Sequence, residues 1–180
     1  MQIPPSRLPG QPAVIRAEVD AVLTAELVSA VAAARRRAVR DGDREVDTAH
    51  LLHSLVETDP EVRAVLGSRV ARVLGYLVQR SIGYGLRWRG SAEDSGAPPG
   101  PRERRAGTPG WSPSALAALD GAPARARSRG AARTEGVDLL AGLAADAGCR
   151  AVEVLRRAGV DAGQLGGRAR PGPGGGSRVH

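Results

Sequence analysis

A chain of 180 residues is long enough for one ordinary domain or two very small ones. Its 26 basic against 19 acidic side chains leave a formal charge of +7, but every basic residue is Arg, and Lys, Asn and Phe are missing altogether. A GC-rich genome produces that bias by codon supply, so the basicity that would otherwise point to nucleic acid is discounted. The single cysteine, Cys149, excludes an intramolecular disulfide and a Cys-rich zinc site, and it fits a reducing, cytoplasmic setting. No segment approaches the roughly 18 apolar residues of a membrane span. Without Lys there is no phosphate loop of the Gly-x4-Gly-Lys kind. The first twelve residues hold four prolines and no apolar run, so they do not read as a signal peptide.

Residues 1–19 read as a flexible N-terminal segment. The first patterned stretch, 20–89, opens on Thr24, whose hydroxyl can cap the helix that follows, with Glu26 set against the positive helix end. Leu27, Val31, Ala34 and Ala38 then recur at helical spacing, and Asp41-Gly42 is a natural stop because Gly accepts the left-handed conformation. Asp47 can cap a second helix with Leu51, Leu52 and Leu55 on its inner face. Asp59-Pro60 starts a third, carrying Val62, Val65 and Leu66. Val70, Val73, Leu74, Leu77 and Val78 mark a longer amphipathic fourth. Residues 90–110, crowded with Gly, Pro, Ser and charge, read as a flexible linker too poor in apolar side chains to offset the entropy of ordering.

Ser112-Pro113 opens the second patterned stretch, 111–165. Gly121 and Pro123 fall inside its first helix, and proline in a helix interior costs roughly 3 kcal/mol. That helix is therefore expected to stop near Asp120 or to kink there. Residues 166–180 read as a disordered tail. No stretch alternates like a strand, and with four aromatic residues (Tyr76, Tyr84, Trp88, Trp111) the core falls to Leu, Val and Ala. The fold class is all-α.

The two stretches repeat. Sliding the sequence by 88 residues carries Thr24 onto Ser112, Asp47 onto Glu135, Leu51-Leu52 onto Leu139-Leu140 and Leu55 onto Leu143; one inserted residue later, Leu66 meets Leu155. Two pseudo-symmetric four-helix units packed as one domain follow, each needing the other to bury its apolar faces.

At these residues the sequence resembles the Clp N-terminal repeat domain found at the front of ClpA- and ClpC-type unfoldases. Leu23-Thr24 and Trp111-Ser112 match the openings of its two units. Asp47-Thr48-Ala49-His50-Leu51-Leu52-His53-Ser54-Leu55 and Glu135-Gly136-Val137-Asp138-Leu139-Leu140-Ala141-Gly142-Leu143 match its box, and Val154 to Asp161 match its closing phrase. The resemblance implies a free-standing, non-catalytic module that binds Clp unfoldase components, adaptors or substrates as an adaptor, competitor or decoy, without a cofactor. It also implies binding positions at Thr24, Ala49, His50, Ser112, Val137 and Asp138. In ClpC-type domains the opening Thr and the box Glu form two phosphoarginine pockets. Here the carboxylate positions are Ala49 and Val137, which cannot pair with a guanidinium, so those pockets are expected to be lost. The box histidine is kept as His50 and replaced by Asp138 in the second unit.

Other readings compete with this one. His50 and His53 lie one turn apart, but with no third ligand at suitable spacing His50 reads as a structural residue at a helix junction. Cys149 has no evident base partner, and Asp20, Glu26 and Glu57 form no acid/base pair. Arg35, Arg36 and Arg37 read as solvated, and Glu93, Asp94 and Glu103 cancel the charge of Arg102, Arg104 and Arg105 in the linker. Arg125, Arg127, Arg129 and Arg133 form a run without acids, and with the tail 166–180 they are the basis of an alternative in which the chain binds nucleic acid electrostatically.

Overall fold

The computed structural model describes residues 22–81, Glu93 and residues 109–167. The expected N-terminal segment 1–19 lies outside the described residues, as do the linker apart from Glu93, Pro109 and Gly110, and the tail from residue 168. Helix α1, Ala25–Asp41, begins where the Thr24 hydroxyl accepts the Leu27 N–H at 3.4 Å. It ends at Gly42, whose φ of 71° lets its N–H turn back onto the last carbonyls. Three further helices follow: α2 (Thr48–Thr58), α3 (Pro60–Leu66) and, after a 3-10 turn at Gly67–Arg69, α4 (Val70–Ser81). The second set is α5 (Pro113–Ser128), α6 (Gly136–Ala145), α7 (Arg150–Arg157) and α8 (Ala162–Gly167).

The pseudo-symmetry reaches individual side chains. Leu27, Ala30, Ala34 and Ala38 are the buried stripe of α1, and Ala115, Ala118, Ala122 and Ala126, each 88 positions later, are buried on α5. Val31, expected in that stripe, is only half-buried. Helix α1 packs on α2, and α5 on α6. A Cβ on Gly142 would lie 3.1 Å from the Ala118 carbonyl oxygen, so small residues are what let α5 and α6 approach so closely. Leu51, Leu52, Leu55, Leu139, Leu140, Leu143 and Leu155 form the fully buried centre that the two leucine pairs announce.

Two local expectations are corrected. Helix α5 does not stop near Asp120; it runs through Pro123 to Ser128. Proline forfeits the bond to the Leu119 carbonyl, but Ala118, Ala122 and Ala126 stay buried on one face across the break, so packing overrides propensity. Two short strands also form, β1 (Glu45–Val46) and β2 (Gly110–Trp111), paired in parallel with Val46 opposite Trp111. Leu23 and Thr134 make the pseudo-symmetric bridge. Pieces this short cannot show a two-residue period. Their effect is to carry each opening onto the other unit: the Ser112 N–H donates to the Val46 carbonyl and the Thr24 N–H to the Thr134 carbonyl, both at 3.0 Å.

Candidate functional site

Those crossed pairings build two cradles of helix starts. In the first, the N-termini of α2 and α5 meet that of α7, and the carboxylate of Glu93 lies among them, 5% exposed. Its Oε2 accepts the Thr48 N–H at 2.9 Å and the Ser112 hydroxyl at 2.7 Å; its Oε1 accepts the Arg150 N–H at 2.8 Å and the Thr48 hydroxyl. Both hydroxyls are oriented from behind. Thr48 Oγ1 accepts the Ala151 N–H at 3.0 Å and Ser112 Oγ accepts the Ala115 N–H at 3.2 Å, which leaves each hydroxyl proton for the carboxylate. Two helix N-termini and two aimed hydroxyls are an oxyanion receptor by their chemistry.

Around this cradle the charges are paired. Asp47, capping α2, receives the guanidinium of Arg150 at 2.6 Å and that of Arg80. Burial alone would raise its pKa, but the His50 hydrogen bonds and the charge of Arg80 hold the carboxyl well below the usual range. His50 completes a reciprocal capping box: its N–H donates to Asp47 Oδ1 at 2.9 Å, and its Nδ1 accepts the Asp47 N–H at 3.0 Å. The structural reading of His50 is therefore the one its contacts express. Its Nε2 faces Asp43 at 3.0 Å, with Asp41 at 4.0 Å. These three side chains bring their ligand atoms within 4.8 Å of one another, but Arg80 lies 3.5 Å from Asp43 and already supplies countercharge. Burial disfavours His50's protonated form, yet Asp43 and Asp47 outweigh it and raise its pKa. His53 turns instead to Glu57 at 3.2 Å. Burial, and then the charge of Arg37, hold its pKa down to about 4. Cys149, at the start of α7, is buried, donates to the Leu143 carbonyl at 3.3 Å, and burial pushes its thiol up. It remains a thiol, which is poor nucleophile chemistry.

The second cradle is built differently. Gly136 stands at the position of Thr48, so there is no hydroxyl, and a Cβ built there would lie 2.0 Å from Asp59 Oδ2. The carboxylate of Asp59, 4% exposed, occupies that space while its Oδ1 caps α3 through the N–H groups of Glu61 (2.9 Å) and Val62 (3.2 Å). At the start of α6, Glu135 and Asp138 repeat the capping box of Asp47 and His50. Asp138, fully buried, is gripped through both oxygens by Arg129, Nε and Nη2 each at 2.9 Å, and Arg129 reaches Glu135 at 2.6 Å. The Asp138 hydrogen bond, aided by Glu135, raises the guanidinium's pKa further.

The six residues singled out from the sequence thus fall into two groups. Ser112 stands across β2 and β1 from the helix start that holds Ala49 and His50, and Thr24 across its bridge from the start that holds Val137 and Asp138. Ala49 is fully buried and Val137 half-buried against the core. Sequence reasoning counted Glu93 only in the charge balance of the linker and missed that it occupies the first cradle; nothing in its spacing marked it. Thr48 lay unremarked inside the box. Of the basic runs, Arg35, Arg36, Arg127 and Arg133 are exposed as expected, Arg35 lying 4.7 Å from the centre of the Trp111 ring, whereas Arg37 pairs with Glu57 and Arg129 with Asp138. A separate cleft of about 420 Å³, lined by Ala64 to Arg69 and by Val160, Asp161, Gln164 and Leu165, shares no residue with either cradle. No helix among the described residues is long and apolar enough to cross a membrane.

The sequence matches no family model and no curated protein. The fold, however, is similar to that of the N-terminal domain of the caseinolytic protease associated chaperone ClpD from Arabidopsis thaliana, with a TM-score of 0.58 at 22% identity over 82% of this chain and 91% of that one. A chain from structural work on a malarial protein secretion system matches with a TM-score of 0.58 at 16% identity over the same shares. The architecture is an all-α, Clp N-domain-like fold.

Proposed function

We propose that this chain is a non-catalytic protein-binding module acting in the Clp unfoldase–protease system, as an adaptor, competitor or decoy, by docking through the groove between its two units and the helix starts at Thr24 and Ser112. The observation that carries the reading is the pair of crossed cradles set in a Clp N-domain-like fold. Thr24, His50, Ser112 and Asp138 shape the cradle walls through caps and capping boxes. Ala49 and Val137 stand where a guanidinium-reading carboxylate would be needed. Phosphoarginine reception is lost in this reading, because the carboxylates that remain, Glu93 and Asp59, occupy the oxyanion side of each cradle and repel a phosphate. The nucleic-acid alternative is weakened by the engagement of Arg129.

Crosslinking of the tagged chain in cell extract, followed by mass spectrometry, tests the reading. Recovery of a Clp unfoldase, abolished when Thr24 and Ser112 are both replaced by Arg, is the expected result. Extracts that contain the unfoldase but never yield it would sink the proposal. Titration of phosphoarginine by calorimetry is expected to give no saturable heat, and tight binding would refute the loss of the pockets.

A further inference from the structure

Among the described residues, the first cradle holds one carboxylate, that of Glu93, and it comes from none of the three helix starts that form the walls. Glu93 is 45 residues from Thr48 and 57 from Arg150 in sequence, and its two oxygens take two donors each. The pseudo-symmetric cradle shows the contrast. There the carboxylate belongs to the wall itself, as the cap of α3, and a glycine makes room for it. At the corresponding start of α7 the cap is Cys149, which makes no side-chain capping bond. The first cradle therefore keeps four donors aimed at a space that its own walls do not fill.

We propose that the first cradle is a receptor for a carboxylate on an acidic peptide segment, and that Glu93 is its built-in competitor. Two donors per oxygen, split between a backbone N–H and a hydroxyl on each, match the planar fork of a carboxylate. A group on the same chain acts at an effective concentration in the millimolar range, so a free acidic peptide gains the cradle only where it outcompetes Glu93 or where Glu93 is withdrawn. This rests on the docking reading above for its biological use, but the competition is a property of the purified chain and is measured without any Clp component.

The experiment compares the full-length chain with its Glu93→Ala variant, following the Thr48 and Arg150 amides by NMR. The probe is a synthetic peptide of residues 89–97, Arg-Gly-Ser-Ala-Glu-Asp-Ser-Gly-Ala, carrying Glu93 at its centre. The variant is expected to exchange these two amides at least about tenfold faster than the wild type, as donors that have lost a buried acceptor do. The peptide should then shift both amides saturably. The same peptide with Gln for both its acidic residues should not, and the wild type should need at least about tenfold more peptide for the same shift. Equal responses from wild type and variant, or none from either, would overturn the competition. Saturation by inorganic phosphate without response to the peptide would overturn the carboxylate assignment. Should Glu93→Ala fail to fold, Glu93→Gln keeps the side-chain shape but sets an amide N–H₂ against one pair of donors. The same comparison on that variant then decides between the outcomes.

Discussion

Replacing Gly136 with Ala ordinarily favours a helix, by about 0.4–1 kcal/mol, through the unfolded chain. The φ of Gly136 is not positive, so its backbone poses no objection to a side chain. Here the sign reverses because of what the new methyl meets: Asp59 Oδ2 at 2.0 Å, Asp59 Cγ at 2.9 Å and Leu55 Cδ2 at 3.2 Å. The carboxylate has to move by more than an ångström to reach van der Waals distance, and Leu55 is fully buried and cannot yield far. That movement breaks the bonds from the Glu61 and Val62 N–H groups, an N-cap contribution of about 1 kcal/mol and up to about 2. It also disturbs a carboxylate that is nearly inaccessible to water. The net expectation for Gly136→Ala is a loss of about 1–3 kcal/mol, read by urea denaturation as a lower midpoint at unchanged slope. The double-mutant cycle with Asp59→Ala sharpens the test. Removing the carboxylate removes the clash, so the methyl should cost almost nothing in that background and the coupling should exceed about 1 kcal/mol. A Gly136→Ala protein as stable as the wild type, or additivity in the cycle, would refute the claim that Asp59 fills the second cradle.

Asp138→Ala leaves Arg129 with Glu135 alone and removes the reciprocal cap of α6; a loss of about 1–3 kcal/mol is expected, and a loss under about 1 kcal/mol would mean that the pair is solvated after all. Because α5 already runs through Pro123, Pro123→Ala restores a missing hydrogen bond without asking for a new shape. A gain of about 1–3 kcal/mol in chemical denaturation is expected, and no gain would show that the helix is held apart at that point. Protonation also carries a sign. His53 has a folded pKa of about 4, below its usual 6.5, so between those values the unfolded chain binds the proton and the fold does not. Stability should therefore be complete above about pH 6.5 and fall, by on the order of 2 kcal/mol, as pH drops toward 4. His50, with its pKa raised, contributes in the opposite sense, its share being present below about pH 6.5 and lost as pH rises through its folded value. His53→Gln should flatten the acid slope in denaturation curves across pH 4–6.5, and an unchanged slope would assign it to other groups.

The helix starts were legible because each is written within four residues. Thr24, Asp47, Asp59 and Ser112 all cap, and Gly42 ends α1 at positive φ, as local geometry requires. The repeat was legible because both copies face one shared core, so a cap and a leucine pair must recur in register, and the alanine stripes of α1 and α5 recur with them. The candidate site was legible only in part. Ser112, His50, Thr24 and Asp138 could be placed at helix starts, but not paired across the two units, because strands of two residues carry no pattern.

What the sequence determined by itself is therefore the all-α class, the starts of α1, α2, α3 and α5 and the two-fold repetition, all consequences of bonds and spacings between near neighbours. Tertiary structure alone decided which starts face each other, that α5 survives Pro123, that Arg129 is spent on Asp138, and that Glu93 is buried. Those outcomes rest on contacts made at separations such as 45, 57 and 103 residues. At such separations the burial free energy of a whole packed face, rather than the preference of any one residue, selects the partner.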